Sequence, residues 1–162
     1  MSYFVTGGTG FIGRFLIGNL LKRKGSIHVL VRKASMKKFD AMAKKQGWDP
    51  KRVIAVPGDM TAANCGLSAA QVRALTAKIQ HFFHLAAIYD LTASAAEQQA
   101  ANIDGTQHAL DLAAALKVKC FHHASSIAAA GLYPGVFRED MFDEAEGLDD
   151  PYLRTKHESE GL

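Results

Sequence analysis

Apolar runs of strand length alternate with longer segments of mixed polarity along almost the whole chain. Residues 3–6 (YFVT) make a short buried strand on this pattern, and 11–25 make a helix that stops at Gly25. Residues 26–32 (SIHVLVR) form a second strand, and 35–47 a second helix, again stopped by glycine. A third strand covers 51–59, a short helix covers 67–77 with Ser68 as its N-cap, and a fourth strand covers 79–87. The alanine-rich stretch 94–116 predicts a long helix, and 118–126 a fifth strand. Residues 127–150 are rich in Gly, Pro and acids and form a loop. Pro151 suits the first position of a final helix, where its missing N–H would be unpaired anyway.

Strands this short and this continuously apolar imply a parallel sheet covered on both faces. Right-handed crossovers then make it a doubly wound α/β sheet. No internal repeat, linker or low-complexity tract divides the chain, so its 162 residues are expected to be one domain. A domain of that size buries roughly 70% of its unfolded surface, which is enough for a core.

Composition narrows the class. With 48% apolar and 22% charged residues the chain is globular rather than disordered. No apolar run approaches the ~20 residues that span a bilayer. The N-terminus MSYFVTGGTG lacks the basic and apolar regions of a secretory signal. Cys65 and Cys120 stand in no metal or redox spacing, so neither a disulfide framework nor a metal site is expected, and a reducing cytoplasm is the default location. His81, His84, His122 and His123 read as ordinary strand residues, since no acid or cysteine completes a ligand set for them in the sequence.

The net charge of +3 is modest but uneven. Eight basic residues lie from Arg32 to Arg52 against Asp40 and Asp49, while from Arg138 onward nine acids face three bases. A solvated face accounts for most of these charges. A polyanionic small molecule is the sharper reading of the basic stretch. Nucleic acid is disfavoured, because no aromatic residues interleave the lysines.

The stretch Thr6-Gly7-Gly8-Thr9-Gly10-Phe11-Ile12-Gly13 lies between the first strand and the first helix, with Gly7, Gly10 and Gly13 in a GxxGxxG spacing. Glycines at such a junction allow a tight turn, close approach of a pyrophosphate, and close packing of helix on strand. The helix N-terminus then offers unpaired N–H groups to the anion, so Gly7, Thr9, Gly10, Phe11, Ile12 and Gly13 are candidate cofactor contacts. NAD-binding folds usually place an acid at the end of the second strand for the ribose hydroxyls. Here Arg32 and Lys33 occupy that place. A guanidinium can hold a 2′-phosphate through two parallel hydrogen bonds where an acid would repel it, so NADP(H) is expected, with Lys38 as a second contact. Asp59 and Met60 follow the third strand; Asp59 either accepts from the adenine amino group or caps the next turn. Leu85, Ala86 and Ala87 end the fourth strand with residues small enough to lie against the cofactor.

A second constellation comes later in the chain: Asn102 in NIDGT, Ser125-Ser126 ending the fifth strand, and Tyr152-x-x-x-Lys156. Spacing of four puts Tyr152 and Lys156 on one helix face, a turn apart. A free phenol has a pKa of about 10. A neighbouring ammonium favours the phenolate, which suits a proton donor working near neutrality.

The order of these features resembles the extended short-chain dehydrogenase/reductase superfamily, over essentially the whole chain. The stretches HFFHLAAIYD, NIDGT and SSIAAAGLYPGVFREDMFDEAEGLDDPYLRTKHESE resemble its fatty acyl-CoA reductase branch, also called male-sterility and related to thioester reductase domains. The resemblance implies a Rossmann domain that brings NADPH hydride to an acyl-CoA, an acyl carrier thioester or a fatty aldehyde. It implies Tyr152 as proton donor and Lys156 as its partner on the cofactor ribose. Ser126, with Ser125 as runner-up, would bind the substrate oxygen, and Asn102 would hold the helix beside the lysine. Hydride attack on a thioester gives a hemithioacetal that collapses to an aldehyde, and a second hydride gives the alcohol.

Members of that superfamily continue well past the catalytic lysine into a small substrate lobe. The resemblance therefore implies that residues 1–162 are the N-terminal, NADP-binding part of a larger reductase, able to bind NADPH but slow to turn over alone. It leaves a homodimer open, against internal packing of the 94–116 helix. Two other classes compete. A nucleotide-sugar epimerase or dehydratase uses the same Ser/Tyr/Lys set, though Arg32 speaks against tightly held NAD. A non-catalytic NADP-sensing domain would usually have lost Tyr152 or Lys156.

Overall fold

The computed structural model describes residues 1–90 and 92–162. Five parallel strands form one sheet: β1 (Ser2–Thr6), β2 (Ile27–Val31), β3 (Val53–Pro57), β4 (Ile79–His84) and β5 (Cys120–His123). Their order is β3-β2-β1-β4-β5. The chain therefore works outward from β1 to one edge, then crosses back to build the other, as a doubly wound sheet must. Between β1 and β4 the direction of winding reverses, and a crevice opens at the strands' carboxyl ends.

The central strand β1 is buried on both faces, which explains its lack of polar alternation, while β5 at the sheet edge is only partly buried. On one face Tyr3, Val5, Val29 and Val31 pack with Ile17 of helix α1 (Phe11–Leu20) and Phe39 of helix α2 (Met36–Gln46). On the other, Phe4 and Phe82 pack with Ala109 and Leu112 of helix α5 (Gly105–Ala115), and partly buried Val72 of helix α3 (Ala69–Leu75) joins them. Full burial of each such side chain stabilises the fold by about 1.5–3 kcal/mol.

Most predicted elements are present with shorter ends. Helix α1 stops at Leu20 rather than running to Gly25. The reason is Arg52, whose guanidinium donates to the carbonyls of Leu21, Arg23 and Gly25 and so satisfies a chain that has left the helix. Ser68 caps α3 in a reciprocal pair with Gln71, as expected.

The predicted helix over 94–116 is interrupted. It opens with a Ser94–Glu97 capping box on helix α4 (Ala95–Gln98), widens into a π-helical turn over Gln99–Asp104, and resumes as α5. That widening places Asn102 inside the fold, 2% exposed. Residues 127–150, expected as loop, contain two short 3-10 turns, Ile127–Ala130 and Phe142–Glu144. The last helix, α6 (Pro151–Glu160), starts at Pro151 as expected, with the Asp150 carboxylate accepting from the N–H groups of Tyr152 and Leu153. His157 of α6 donates from Nδ1 to the Ala129 carbonyl at 2.9 Å and stacks on Phe142, pinning both turns against the helix.

Candidate functional site

The glycine segment joins β1 to α1 at the crevice. Gly7 has a φ of +69°, and a Cβ there would lie 2.8 Å from the Ala86 backbone nitrogen. Only glycine lets the end of β1 lie flat against the residues leaving β4. At Gly13 a Cβ would run into the Gly7 carbonyl oxygen, so this third glycine serves helix-on-strand packing. Gly10 differs. A Cβ there would meet only the Gly7 oxygen, at 3.1 Å, and would otherwise stand in the cleft that Gly10 lines.

That cleft has a volume of about 310 Å3. Gly7, Thr9 and Gly10 line it together with Arg32, Ser35 and Asp59 beyond β2 and β3 and with Leu85, Ala86, Ala87 and Ile88 after β4. Met60 also faces it. A second cleft, bounded by Arg32, Lys33, Ser35 and Asp59, continues beyond the ends of β2 and β3. Glycines that clear space for an anion and a basic end fit a dinucleotide phosphate group. Asp59 caps the turn that follows β3, one carboxylate oxygen accepting from Thr61 N and Oγ1 at 3.0 and 2.9 Å, and the residue also lines both clefts. Lys38 stands exposed on α2, outside the lining of either cleft. Phe11 and Ile12 also project into solvent from the start of α1 and do not line it.

Beneath the cleft runs a buried polar chain that the sequence did not single out. Thr6 and His84 end adjacent strands in register. Thr6 Oγ1 lies 2.8 Å from His84 Nδ1, His84 Nε2 lies 3.1 Å from Thr106 Oγ1, and Thr106 Oγ1 donates to the Asn102 carbonyl at 2.7 Å. The protons can be assigned from this order. Thr106 gives its only hydroxyl hydrogen to the Asn102 carbonyl, so His84 must donate to it from Nε2. Nδ1 then accepts from Thr6, whose oxygen in turn accepts from Leu85 N and Ala86 N, both at 3.2 Å. Burial, and then the nearby His123 and Lys156, push the His84 pKa down to about 3. His84 is therefore a neutral connector between the glycine segment and the π-helical turn. The signal available in the sequence was two polar residues, Thr6 and His84, each ending an apolar strand.

Asn102 continues the connection. Its Oδ1 accepts from Ile88 N at 2.8 Å, and its Nδ2 donates to Ile88 O and to Thr155 Oγ1, each at 3.2 Å. Ile88 belongs to the cleft wall, and Thr155 lies between Tyr152 and Lys156 on α6. Lys156 is buried and points its ammonium at the Ala124 carbonyl, 3.4 Å away. Burial lowers its pKa, and the Glu160 carboxylate, one turn on, partly offsets that. Tyr152 packs edge-to-face against Tyr89, with ring centres 5.0 Å apart. The two serines are held differently. Ser125 donates to Glu160, whereas Ser126 Oγ accepts from Ala128 N at 3.2 Å, which leaves its own hydrogen uncommitted among the described bonds.

The histidines need one correction. Sequence spacing offered them no cysteine, but strand register sets Cys120 directly opposite His81, with His122 two residues on. Spacing along one strand says nothing about what the neighbouring strand brings alongside.

A doubly wound parallel sheet with a glycine cradle at its switch point defines a nucleotide-binding domain. The NAD-binding family model described as male sterility protein matches residues 5–162, and the chain belongs to that family, an NAD(P)-binding reductase family. A linear gramicidin synthase polypeptide from Brevibacillus parabrevis is 33% identical over 98% of this chain, and the match covers 3% of that protein. A putative fatty acyl-CoA reductase from Drosophila melanogaster is 27% identical over 94% of this chain and 30% of its own length. Among solved structures, the terminal R domain of the myxalamid PKS-NRPS pathway superposes with a TM-score of 0.84 at 28% identity, over 99% of this chain and 44% of that one. The UDP-glucuronic acid 4-epimerase of Bacillus cereus, in complex with NAD, has a TM-score of 0.76 at 25% identity, over 99% and 50%. This chain thus spans less than half of the first of these structures and a small fraction of the curated relatives. Among the described residues no helix is long and apolar enough to cross a membrane.

Proposed function

We propose that this chain is the NADP-binding domain of a reductase that delivers hydride from NADPH to an acyl thioester or a fatty aldehyde. The observation that carries the proposal is Asn102, which bonds on one side to the cleft wall at Ile88 and on the other to Thr155, between Tyr152 and Lys156. A nucleotide in the cleft and the Tyr/Lys helix are thereby tied to a single rigid side chain. NADPH, when bound, supplies the hydride. Gly7, Thr9 and Gly10 would hold its pyrophosphate, and Arg32 with Lys33 its 2′-phosphate.

The residues of the chain then have distinct tasks. Ser126 donates its free hydrogen to the substrate carbonyl oxygen. Tyr152 delivers a proton to that oxygen as negative charge grows on it. Lys156, charged and buried, favours the phenolate left behind. Tyr89 and Ile127 are exposed apolar residues beside Tyr152 and Ser126, which suits an acyl substrate more than a sugar nucleotide. The fatty acyl-CoA reductase relative points the same way. Arg32 in place of an acid supports NADP over NAD.

The test is to follow loss of NADPH absorbance by the full-length protein with a long-chain acyl-CoA, an acyl carrier thioester or a fatty aldehyde. Oxidation with any of them supports the proposal. Saturable NADPH binding without oxidation would turn the reading to a sensor domain, and turnover of a UDP-sugar with retained NAD would turn it to an epimerase.

A further inference from the structure

On the sheet face opposite His84, the register of β4 with β5 assembles three metal-ligating side chains. His81 pairs with Cys120, and Phe83 with His122, so His81, Cys120 and His122 all point to the same side. His81 Nδ1 lies 3.1 Å from His122 Nε2, and Cys120 Sγ lies 4.0 Å from His122 Nδ1. One donor atom from each residue falls within 4.8 Å of the other two. Among the described residues this is the only such group.

We propose that His81, Cys120 and His122 form a three-ligand, two-nitrogen-one-sulfur site for a zinc-class ion. Tetrahedral zinc with ordinary bond lengths sets its nitrogen ligands about 3.3 Å apart and nitrogen and sulfur about 3.6 Å apart. The imidazole pair stands close to that spacing through His122 Nε2, whereas the thiol lies nearer the other nitrogen of that ring, so binding requires the Cys120 side chain to turn toward Nε2. The rings are held by stacking. His122 stacks on Phe83 with planes 7° apart and centres 4.3 Å apart, and His81 lies between His122 and Tyr3.

The donor set selects the metal. Two imidazoles and a thiolate suit Zn2+, Co2+ or Cu+ and disfavour Mg2+ and Ca2+, which want oxygen. On binding, the Cys120 thiol loses its proton to solvent and its sulfur becomes the anionic ligand. The fourth position falls to water. The site clips β5, which pairs only with β4 in this sheet, to its neighbour. It lies on the far face from His84 and Thr106, so it acts on the fold and not on the reaction centre.

The experiment uses full-length protein freed of metal with a chelator and titrated with Co2+ as a coloured stand-in for Zn2+. The expected result is saturation at one ion per chain, with a thiolate-to-cobalt charge-transfer band and the intense ligand-field bands of a tetrahedral site. C120S should abolish the charge-transfer band, and H81A and H122A should each weaken Zn2+ binding by at least about tenfold. Zn2+ should raise the Tm of the parent protein but not of C120S, with NADPH binding unchanged in both. A cobalt spectrum without a thiolate band would overturn the assignment. So would Zn2+ affinity that is equal in C120S and the parent, which would mean adventitious binding by the histidine pair.

Discussion

Asn102 reaches Thr155 across 53 positions of sequence, its Nδ2 donating to the threonine Oγ1 at 3.2 Å from within a π-helical turn. The widened turn faces Asn102 inward, and its amide then holds both Ile88 and α6. Asn102→Ala would leave the N–H and C=O of Ile88 without partners. Ile88 is half-buried in the cleft wall, so the cost lies below the roughly 1–3 kcal/mol of a fully buried unsatisfied group, and a moderate fall in Tm is expected. Thr155→Val breaks the link to α6 and the Thr155 hydroxyl's own bond to the Tyr152 carbonyl, while leaving Asn102 on Ile88. It should lower kcat while leaving the NADPH Kd near its parent value, as measured by titration and steady-state rates.

Tyr152→Phe removes the proposed proton donor and keeps the ring against Tyr89. Loss of a general acid typically costs about 10²–10⁴-fold, so kcat should fall into that range with NADPH affinity retained. Equal rates in the variant and the parent would remove Tyr152 from the mechanism.

Arg32 lines both clefts from the end of β2. Replacing it with glutamate should weaken NADPH binding by roughly 10- to 100-fold or more, since a hydrogen bond to a charged group contributes about 1.5–3 kcal/mol. NADH binding should change little or improve. The ratio of the two Kd values is the readout.

In the proposed mechanism Lys156 acts on Tyr152 as the charged ammonium, and Glu160 opposes the lowering of its pKa by burial. His84 and His123 face it from β4 and β5. Removing the carboxylate charge takes away the raising influence, so the Lys156 pKa drops further. Activity that needs the ammonium is lost as pH rises through that pKa. Glu160→Gln should therefore move the alkaline limb of the kcat profile to lower pH, whereas Ser125→Ala should leave the limb closer to its parent position.

His84 also makes the fold sensitive to acid. Its folded pKa of about 3 lies well below the ordinary histidine value of 6.5. Above pH 6.5 the neutral ring costs nothing, and as pH falls from there toward 3 the unfolded chain takes up the proton first. Stability should fall over that window by up to about 1.4 kcal/mol per pH unit. Burial lowers His123 in the same direction. Chemical denaturation at a series of pH values should show this slope, and His84→Gln should flatten it.

The glycine segment, Arg32, Tyr152 and Lys156 were legible because each belongs to a local pattern, a strand-to-helix junction or a single helix turn. Thr6, His84, Thr106 and Thr155 were not, since each matters through a partner many residues away. Asn102 was visible as a residue, but its interior place depended on a π-helical turn that no local propensity announces. Lys38 had the right charge and helix, but α2 holds it outside the cleft lining.

The doubly wound sheet, its glycine crevice and its Tyr/Lys helix followed from the sequence alone. Strand-length apolar runs, glycine spacing and helical periodicity are all short-range, and each acts within a few residues of the chain. Tertiary structure decided which side chains meet across strands and helices: the Thr6–His84–Thr106 relay, the Asn102 tie and the His81–Cys120–His122 group. Those depend on register between separate strands and on where a helix widens, and packing of the whole sheet sets both.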